Sequence, residues 1–198
     1  MMLYFRGINV FLWIVLLSAI SWGQEKREVE KRISEAALNA QAFECFKTLS
    51  IQKRIKRKRW YLQTKAQDSV YELKFKYLKQ KYSIEFYMGG TPKNVEVEYT
   101  KNNLEPAVLA RIKTALSSRF DKFKLRKIQK GFEQLEQISC DQLLLTNLLD
   151  NQAAVYYEIV ILGITPNDKA LYEVNFDASG SFIHLHKIIL QSTDILDY

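Results

Sequence analysis

Residues 70–75 read Val-Tyr-Glu-Leu-Lys-Phe, and residues 156–161 read Tyr-Tyr-Glu-Ile-Val-Ile. Two further pairs of similar segments follow in the same order, Tyr82–Phe86 with Tyr172–Phe176 and Val95–Glu98 with Ile183–His186. A helical pattern and a basic, strand-like segment precede each set. Self-similarity on this scale is typical of a repeated structural unit. The sequence therefore predicts two tandem copies of one helix-then-strands unit.

Alternation of side-chain type predicts the strands. In residues 71–77 the odd-numbered side chains are apolar or aromatic and the even-numbered ones are charged. In residues 82–88 the even-numbered side chains are apolar or aromatic, and Ser83, Glu85 and Tyr87 alternate with them. A period of two favours an antiparallel sheet with one face against helices and the other toward solvent or a partner. Turn residues at Gly89–Gly90 and Asp177–Gly180 predict hairpins.

Two stretches have helical periodicity. Apolar residues recur at three- and four-residue steps over residues 29–43, which predicts an amphipathic first helix. The second helix is expected to begin near Pro106, where a missing N–H costs nothing. Val108, Ile112 and Leu116 form its apolar stripe. Helices and antiparallel strands together predict an α+β fold.

The second copy differs by an insertion near residues 133–152. Residues 138–150 are rich in leucine, and so many leucines do not remain in an open loop. We expect a short extra helix that packs on the core or covers part of the sheet. The two predicted units are residues 24–101 and residues 102–198.

Residues 1–23 have the features of a secretory signal peptide: one basic residue, an apolar run over 10–20, and the small residues Ser21 and Gly23. An uncleaved membrane anchor is the alternative, but a span needs about 20 apolar residues. The sequence predicts an exported protein, most simply periplasmic, whose mature chain begins at Gln24.

Composition narrows the classes of function. The 198 residues are 47% hydrophobic, which excludes wholesale disorder, and 29 basic against 22 acidic residues give a net charge of +7. Two Cys and two His are too few for most zinc sites. No nucleophile elbow, paired carboxylates or phosphate-binding loop is recognisable. We expect a protein that is not an enzyme and has no cofactor or metal.

The two cysteines, Cys45 and Cys140, lie 95 residues apart in the sequence. In an oxidising compartment an even number of cysteines is compatible with a disulfide. Two buried thiols that pack as small hydrophobic side chains are the alternative. The sequence alone leaves both open.

Two segments resemble a known family. Leu104–Val108 opens a helix, and Tyr172–Gly180 reads Tyr-Glu-Val-Asn-Phe-Asp-Ala-Ser-Gly. This resembles the PepSY-like unit, especially its tandem form, the β-lactamase-inhibitor-like (BLIP-like) proteins exported by many bacteria. The resemblance implies two helix-plus-antiparallel-sheet units whose sheets form one open face, with the helices on the other. It also implies a non-enzymatic module whose sheet surface grips another protein.

Strand alternation assigns candidate contact residues to the face opposite the helices. Tyr87 and Tyr156 are the expected aromatic anchors. Tyr156, Val160 and Leu162 form an apolar row that either the insertion covers or a partner contacts. The partner-binding candidates are Lys74, Glu85, Tyr87, Tyr156, Val160, Glu173, His184 and His186. His184 and His186 share a strand face, but a zinc site needs further ligands, so we expect ordinary exposed positions there.

A basic run provides a second candidate surface, formed by Lys53, Arg54, Lys56, Arg57, Lys58 and Arg59. It suits anionic lipid headgroups, polysaccharide or an acidic partner. Export makes nucleic acid the least fitting partner. A solvated edge strand whose lysines discourage pairing with other chains is the plainer alternative.

These features predict an exported binding module that presents a sheet face to an unidentified protein of the cell envelope. The alternative is an envelope-surface binder that holds anionic lipid or polysaccharide through the basic run, in peripheral contact with a membrane surface.

Overall fold

The computed structural model describes residues 24–26, 29–49, 54–64, 68–133, 135, 140–143 and 154–189. Ten strands and two α-helices lie within these ranges. In chain order they are β1 (Gln24–Lys26), β2 (Val29–Ile33), α1 (Ala40–Thr48), β3 (Lys56–Thr64), β4 (Ser69–Tyr77), β5 (Gln80–Tyr87), β6 (Pro92–Tyr99), α2 (Pro106–Ser117), β7 (Lys122–Glu133), β8 (Ala154–Thr165), β9 (Asp168–Asp177) and β10 (Phe182–Ile188). The predicted signal peptide, residues 1–23, lies outside the described residues.

All ten strands belong to one sheet, in the order β1-β10-β9-β8-β7-β6-β5-β4-β3-β2. Neighbours from β2 to β10 are antiparallel, and the short β1 adds to β10 in parallel. Apart from β1, strands adjacent in sequence are adjacent in space, as short connections favour.

The prediction of two tandem helix-plus-sheet units is wrong. Strands β6 and β7 pair over five residues, from Val95 with Phe132 to Tyr99 with Ile128, so the expected two sheets are one. Separate sheets would have left unpaired N–H and C=O groups along both strands, and pairing removes these edges. The boundary between residues 101 and 102 stays a prediction.

Both helices pack on the same face of the sheet. Helix α1 is capped by Asn39, whose side-chain oxygen accepts from the backbone N–H of Gln41 at 2.7 Å. Helix α2 begins at Pro106 as predicted, and its buried residues are Val108, Ile112 and Leu116. Each helix covers its own hydrophobic cluster, and the half-buried Tyr99 packs against both clusters.

The helix predicted over residues 29–43 is wrong in its first half. Val29–Ile33 is strand β2, paired with β3, and α1 starts only at Ala40. Residues four apart share a face in a helix and in a strand alike, so Val29 and Ile33 did not distinguish the two. The predicted hairpin turns are confirmed, and their glycines Gly90 and Gly180 have φ of 96° and 85°.

The described part of the insertion lies on the helical side. Cys140 forms a disulfide with Cys45 of α1, which settles the alternative that the sequence left open. Leu135 and Leu143 are fully buried in the cluster under α1. Residues 140–142 form a single 3₁₀ turn, and the leucines of residues 144–149 lie outside the described residues.

No helix in the described ranges is both long enough and apolar enough to cross a bilayer.

Removing the disulfide should destabilise the fold. Cys45→Ala/Cys140→Ala opens a cross-link between residues 95 apart, and we expect the free energy of unfolding to fall by about 2–4 kcal/mol. Urea titration of the parent and the variant measures this difference. A reducing agent should lower the stability of the parent and leave that of the variant unchanged. Equal stabilities would contradict a structural role for the bond.

Candidate binding face

The face of the sheet opposite α1 and α2 is built from polar side chains that meet in register across the strands. We call it the polar face. Its central residues are Tyr61, Glu72, Lys74, Ser83, Glu85, Tyr87, Asn94, Glu96, Gln129, Tyr156, Glu158, Val160, Glu173, Asn175, His184 and His186. The alternation of each strand places these side chains together, since pairs in register lie on the same face.

A buried carboxylate organises the β4 part of the polar face. Glu72 is 5% exposed and accepts a hydrogen bond from the hydroxyl of Ser83 on β5. The ammonium of Lys74 lies 3.2 Å from Glu72 Oε2 and 2.9 Å from both carboxylate oxygens of Glu30 on β2. It also lies 4.9 Å from the centre of the Tyr61 ring. Lys74 therefore joins three strands and is not a free surface cation.

These neighbours change the ionisation of both groups. Burial raises the pKa of Glu72 from 4.5 to about 7, and the nearby Lys74 only partly offsets this. For Lys74, burial acts in the opposite direction, but the carboxylates of Glu72 and Glu30 outweigh it and raise the pKa of the ammonium. Glu72 is thus partly protonated near neutral pH while Lys74 stays charged.

Glu96 is a second carboxylate that joins several strands, at the middle of the sheet. Its carboxylate accepts from Gln129 Nε2 at 2.5 Å and from the hydroxyl of Tyr156 at 2.9 Å. Tyr156 is on β8, two strands away from Glu96 on β6, so its ring has to cross β7. Gly131 makes the crossing possible, because a Cβ at this position would overlap the Tyr156 ring.

Burial raises the pKa of Glu96, an effect that the cation of Lys127 reduces. Burial also raises the pKa of Tyr156, and the carboxylate of Glu96 raises it further. The phenol therefore keeps its proton and remains the donor in this hydrogen bond.

The β5 end of the polar face is more accessible. Tyr87 is 43% exposed, and the ammonium of Lys93 lies 5.8 Å from the centre of its ring. Lys93 also lies 3.4 Å from Glu85 Oε2, which accepts from Asn94 Nδ2 at 3.2 Å. An exposed aromatic ring beside an ordered ion pair has the composition of a contact surface.

Strand β10 carries the two histidines. The ring centres of His184 and His186 are 4.7 Å apart, which confirms the prediction that they share a face. His184 lies opposite Asn175, and His186 lies opposite Glu173. Within the described ranges, no three or more His, Cys, Asp or Glu side chains are grouped in a way that could hold a metal ion.

The predicted contact residues thus fall into two groups. Tyr87 and His184 are exposed and His186 is half-buried, whereas Glu85, Val160 and Glu173 are each 7% exposed. Tyr156 lies across the sheet as a half-buried bridge and is not a projecting anchor.

The candidate contact residues taken from the sequence did not include Glu72, Glu96, Gln129 or Gly131. A glycine within the strand pattern of residues 122–133 was the available signal, since such a glycine often marks a close approach.

The basic run forms the start of β3. Lys58 pairs with Glu35 and lies 4.7 Å from the centre of the Phe46 ring, and Arg54 lies 5.5 Å from the centre of the Tyr77 ring. The pairing of β3 with β4 shifts between Lys56 and Arg59. Lys53 lies outside the described residues.

Comparisons with known proteins show a shared fold with solved structures and identify no family. No family model matches the sequence, and no curated protein matches it. A DUF2874 family protein from Bacteroides ovatus has a TM-score of 0.53 at 12% identity, with 80% of this chain and 97% of that chain covered. A candidate periplasmic protein from Bacteroides eggerthii has a TM-score of 0.52 at 12% identity, with 76% and 88% covered. The chain therefore shares its fold with these proteins.

A BLIP-like protein from Bacteroides fragilis aligns with a TM-score of 0.47 at 14% identity, covering 78% of this chain and 89% of that one. The PepSY-like relationship stays a prediction.

Gly131→Ala should disturb the bridge between Tyr156 and Glu96. The new methyl group competes with the Tyr156 ring for the same space, so we expect a loss of about 1–3 kcal/mol in the free energy of unfolding. In a Tyr156→Ala background the same change should be neutral or stabilising, because glycine weakens a strand. Urea titration of the four proteins in a double-mutant cycle measures the coupling. Additive effects would contradict the crossing of the ring over Gly131.

The raised pKa of Glu72 should make stability depend on pH. The unfolded chain releases this proton near pH 4.5, and the folded chain retains it to about pH 7, so stability falls as the pH rises through this interval. The loss is up to about 3 kcal/mol. Glu72→Gln should reduce it, since the amide still accepts from Ser83. Unfolding titrations from pH 4 to 8 test this, with exposed Glu133→Gln as the matched control. Identical profiles in both variants would assign the pH dependence to other groups.

Proposed function

We propose that this chain is an exported, non-enzymatic binding module that holds a protein of the cell envelope against its polar face. The observation that carries the proposal is the one-sided construction of the sheet. Both helices and the described part of the insertion pack on one face, and the opposite face consists of ordered polar side chains ending in an exposed aromatic ring.

The polar face has the chemistry of a surface for a donor-rich partner. The carboxylates of Glu85 and Glu98 are hydrogen-bond acceptors on the adjacent strands β5 and β6. A partner loop that supplies N–H groups, from backbone amides or from basic side chains, complements such a face.

Tyr87 and the pair His184 and His186 are the proposed contacts at the two ends of the polar face. Tyr87 provides exposed aromatic area at low entropic cost, and flanking ordered polar groups exclude water around such an anchor. Glu72, Glu96 and Tyr156, which are bound to one another or to neighbouring strands, act as the rigid support. If the partner is an enzyme and the contact covers its active-site cleft, the chain is an inhibitor of the kind that the BLIP-like resemblance implies.

Export to the periplasm is part of the proposal. It is supported by the signal-peptide pattern of residues 1–23 and by the disulfide, because disulfides persist in oxidising compartments.

Site-specific cross-linking tests the proposed face. With p-benzoylphenylalanine placed in turn at Tyr87, His184 and Lys113, cells that export the protein should yield one common adduct from the first two positions. Lys113 is exposed on α2 and serves as the control, because it lies on the opposite side of the sheet. Once the partner is known, Tyr87→Ala should weaken its binding roughly tenfold. An adduct from Lys113 alone, or none from Tyr87 and His184, would refute the proposal.

A further inference from the structure

The hairpin between β4 and β5 ends in an exposed leucine. Tyr77 pairs with Gln80, which leaves Leu78 and Lys79 as a two-residue turn. Leu78 is 72% exposed, the largest value among the exposed large hydrophobic side chains of the described residues. An apolar side chain at the apex of a projecting turn cannot be buried by the sheet that carries it.

The backbone of this turn favours other residues. Leu78 and Lys79 have φ of 47° and 69°, and positive φ at both central positions is the pattern of a type I′ turn. Asn-Gly is the preferred pair there, and positive φ is unfavourable for residues that carry a larger side chain. The comparable turn between β8 and β9, Pro166–Asn167, contains no residue with positive φ. The β4–β5 turn is therefore less stable with a leucine and a lysine at its tip than it would be with Asn-Gly.

Several cations surround the tip. Lys76 pairs in register with Lys56 on one side and with Lys81 on the other, so three lysines lie side by side across β3, β4 and β5. Like charges directly opposite each other are destabilising. Lys81 is bound by Glu98 at 2.9 Å. Lys56, Lys76 and Lys79 form no ion pair with any carboxylate in the part of the chain that the structure describes.

A second strained cation lies beside the same tip. Arg57 has a φ of 56° and is one of two residues that bulge from β3 opposite β4. Glycine is the usual residue with positive φ in a bulge of this kind. All three non-glycine residues with positive φ in the described chain, Arg57, Leu78 and Lys79, are thus at one end of β3, β4 and β5. Two of the three are cations, and the third is the exposed leucine.

We propose that this end of the sheet, the cationic tip formed by Lys56, Arg57, Lys76, Leu78 and Lys79, is a docking point for the surface of an anionic phospholipid bilayer. The lysines and the arginine contact lipid phosphates, and Leu78 enters the boundary between headgroups and acyl chains. This proposal is independent of the polar face. It places the contact with anionic lipid at the apex of the β4–β5 hairpin and the neighbouring part of β3, not on the basic run alone.

Shape and charge favour a bilayer over an acidic protein. A protein interface needs a broad complementary surface, whereas the tip is a narrow projection. Unpaired cations around one apolar side chain are what an anionic interface accepts, because the charges remain at the phosphates while the leucine leaves water.

Vesicle sedimentation tests the tip. The chain from Gln24 to Tyr198 contains every described element and excludes the apolar segment of residues 10–20, which would itself bind lipid. It should bind vesicles of phosphatidylcholine with phosphatidylglycerol, bind vesicles of phosphatidylcholine alone much more weakly, and lose binding as salt is raised.

Leu78→Asn/Lys79→Gly is the decisive variant. It should bind about tenfold more weakly, since it removes one surface lysine and one inserted leucine. Because Asn-Gly suits the turn, its melting temperature should equal or exceed that of the parent, so the loss of binding cannot come from unfolding. Met88→Asn/Lys113→Gln is the matched control: it also removes one exposed hydrophobic side chain and one positive charge, and should bind like the parent.

Several results would overturn the proposal: no binding of the parent to anionic vesicles, equal binding to both kinds of vesicle, or equal binding of the parent and the turn variant. Capture of an acidic protein by the tip in place of lipid would also overturn it. Cross-links from Tyr87 and His184 should be unaffected by Leu78→Asn/Lys79→Gly, so failure here and failure of the polar face are distinguishable.

Discussion

The pairing of β6 with β7 is the interaction on which the rest of the architecture depends. Five residue pairs, from Val95 with Phe132 to Tyr99 with Ile128, join the strands before α2 to those after it. Without this ladder each set of strands would end in an open edge. With it, Tyr99 packs against the hydrophobic clusters under both helices.

The same ladder sets the register of the polar face. It places Glu96 directly opposite Gly131, and β8 places Tyr156 directly opposite that glycine in turn. A slip of one residue would move Glu96 to the helical face, among the apolar side chains of the core. The hydrogen bonds from Gln129 and Tyr156 to Glu96 therefore report the correct pairing and help to fix it.

Two carboxylates of the polar face lie in surroundings that disfavour their charged forms. Burial raises the pKa values of Glu72 and Glu96, which means that each ionised carboxylate is less stable in the sheet than it would be in water. Apolar side chains at these positions would avoid that cost, yet the sequence keeps acids, amides and hydroxyls in neighbouring strands. The polar face therefore keeps a fixed arrangement of polar groups in surroundings that favour the uncharged forms of these two carboxylates.

Local sequence patterns could predict only features that lie within a single strand, helix or turn. The alternation in residues 71–77, the stripe of α2, the turns at Gly90 and Gly180 and the shared face of the histidines were all predicted. The number of sheets was not, because the β6–β7 ladder depends on pairing between segments separated by a helix. The helix over 29–43 failed because a four-residue step is compatible with both structures.

The candidate site was harder to predict from the sequence, because it too depends on contacts between segments that are distant in the sequence. Alternation assigns Glu72 and Tyr156 to a face, but their burial depends on side chains from other strands. The bridge from Tyr156 to Glu96 spans 60 residues of sequence and exists only when three strands are in register. The Leu78–Lys79 turn has no glycine or asparagine, so its sequence gives no hairpin signal.

The two proposed surfaces are located so that they can act together. The cationic tip lies at the end of the β4–β5 hairpin, where strand direction points the apex away from the sheet, whereas the polar face extends along the strands. A bilayer that receives the apex therefore contacts the end of the sheet and leaves the polar face open at its side. The proposed contacts at the apex and at Tyr87 and His184 therefore use different residues, and occupation of one surface leaves the other accessible.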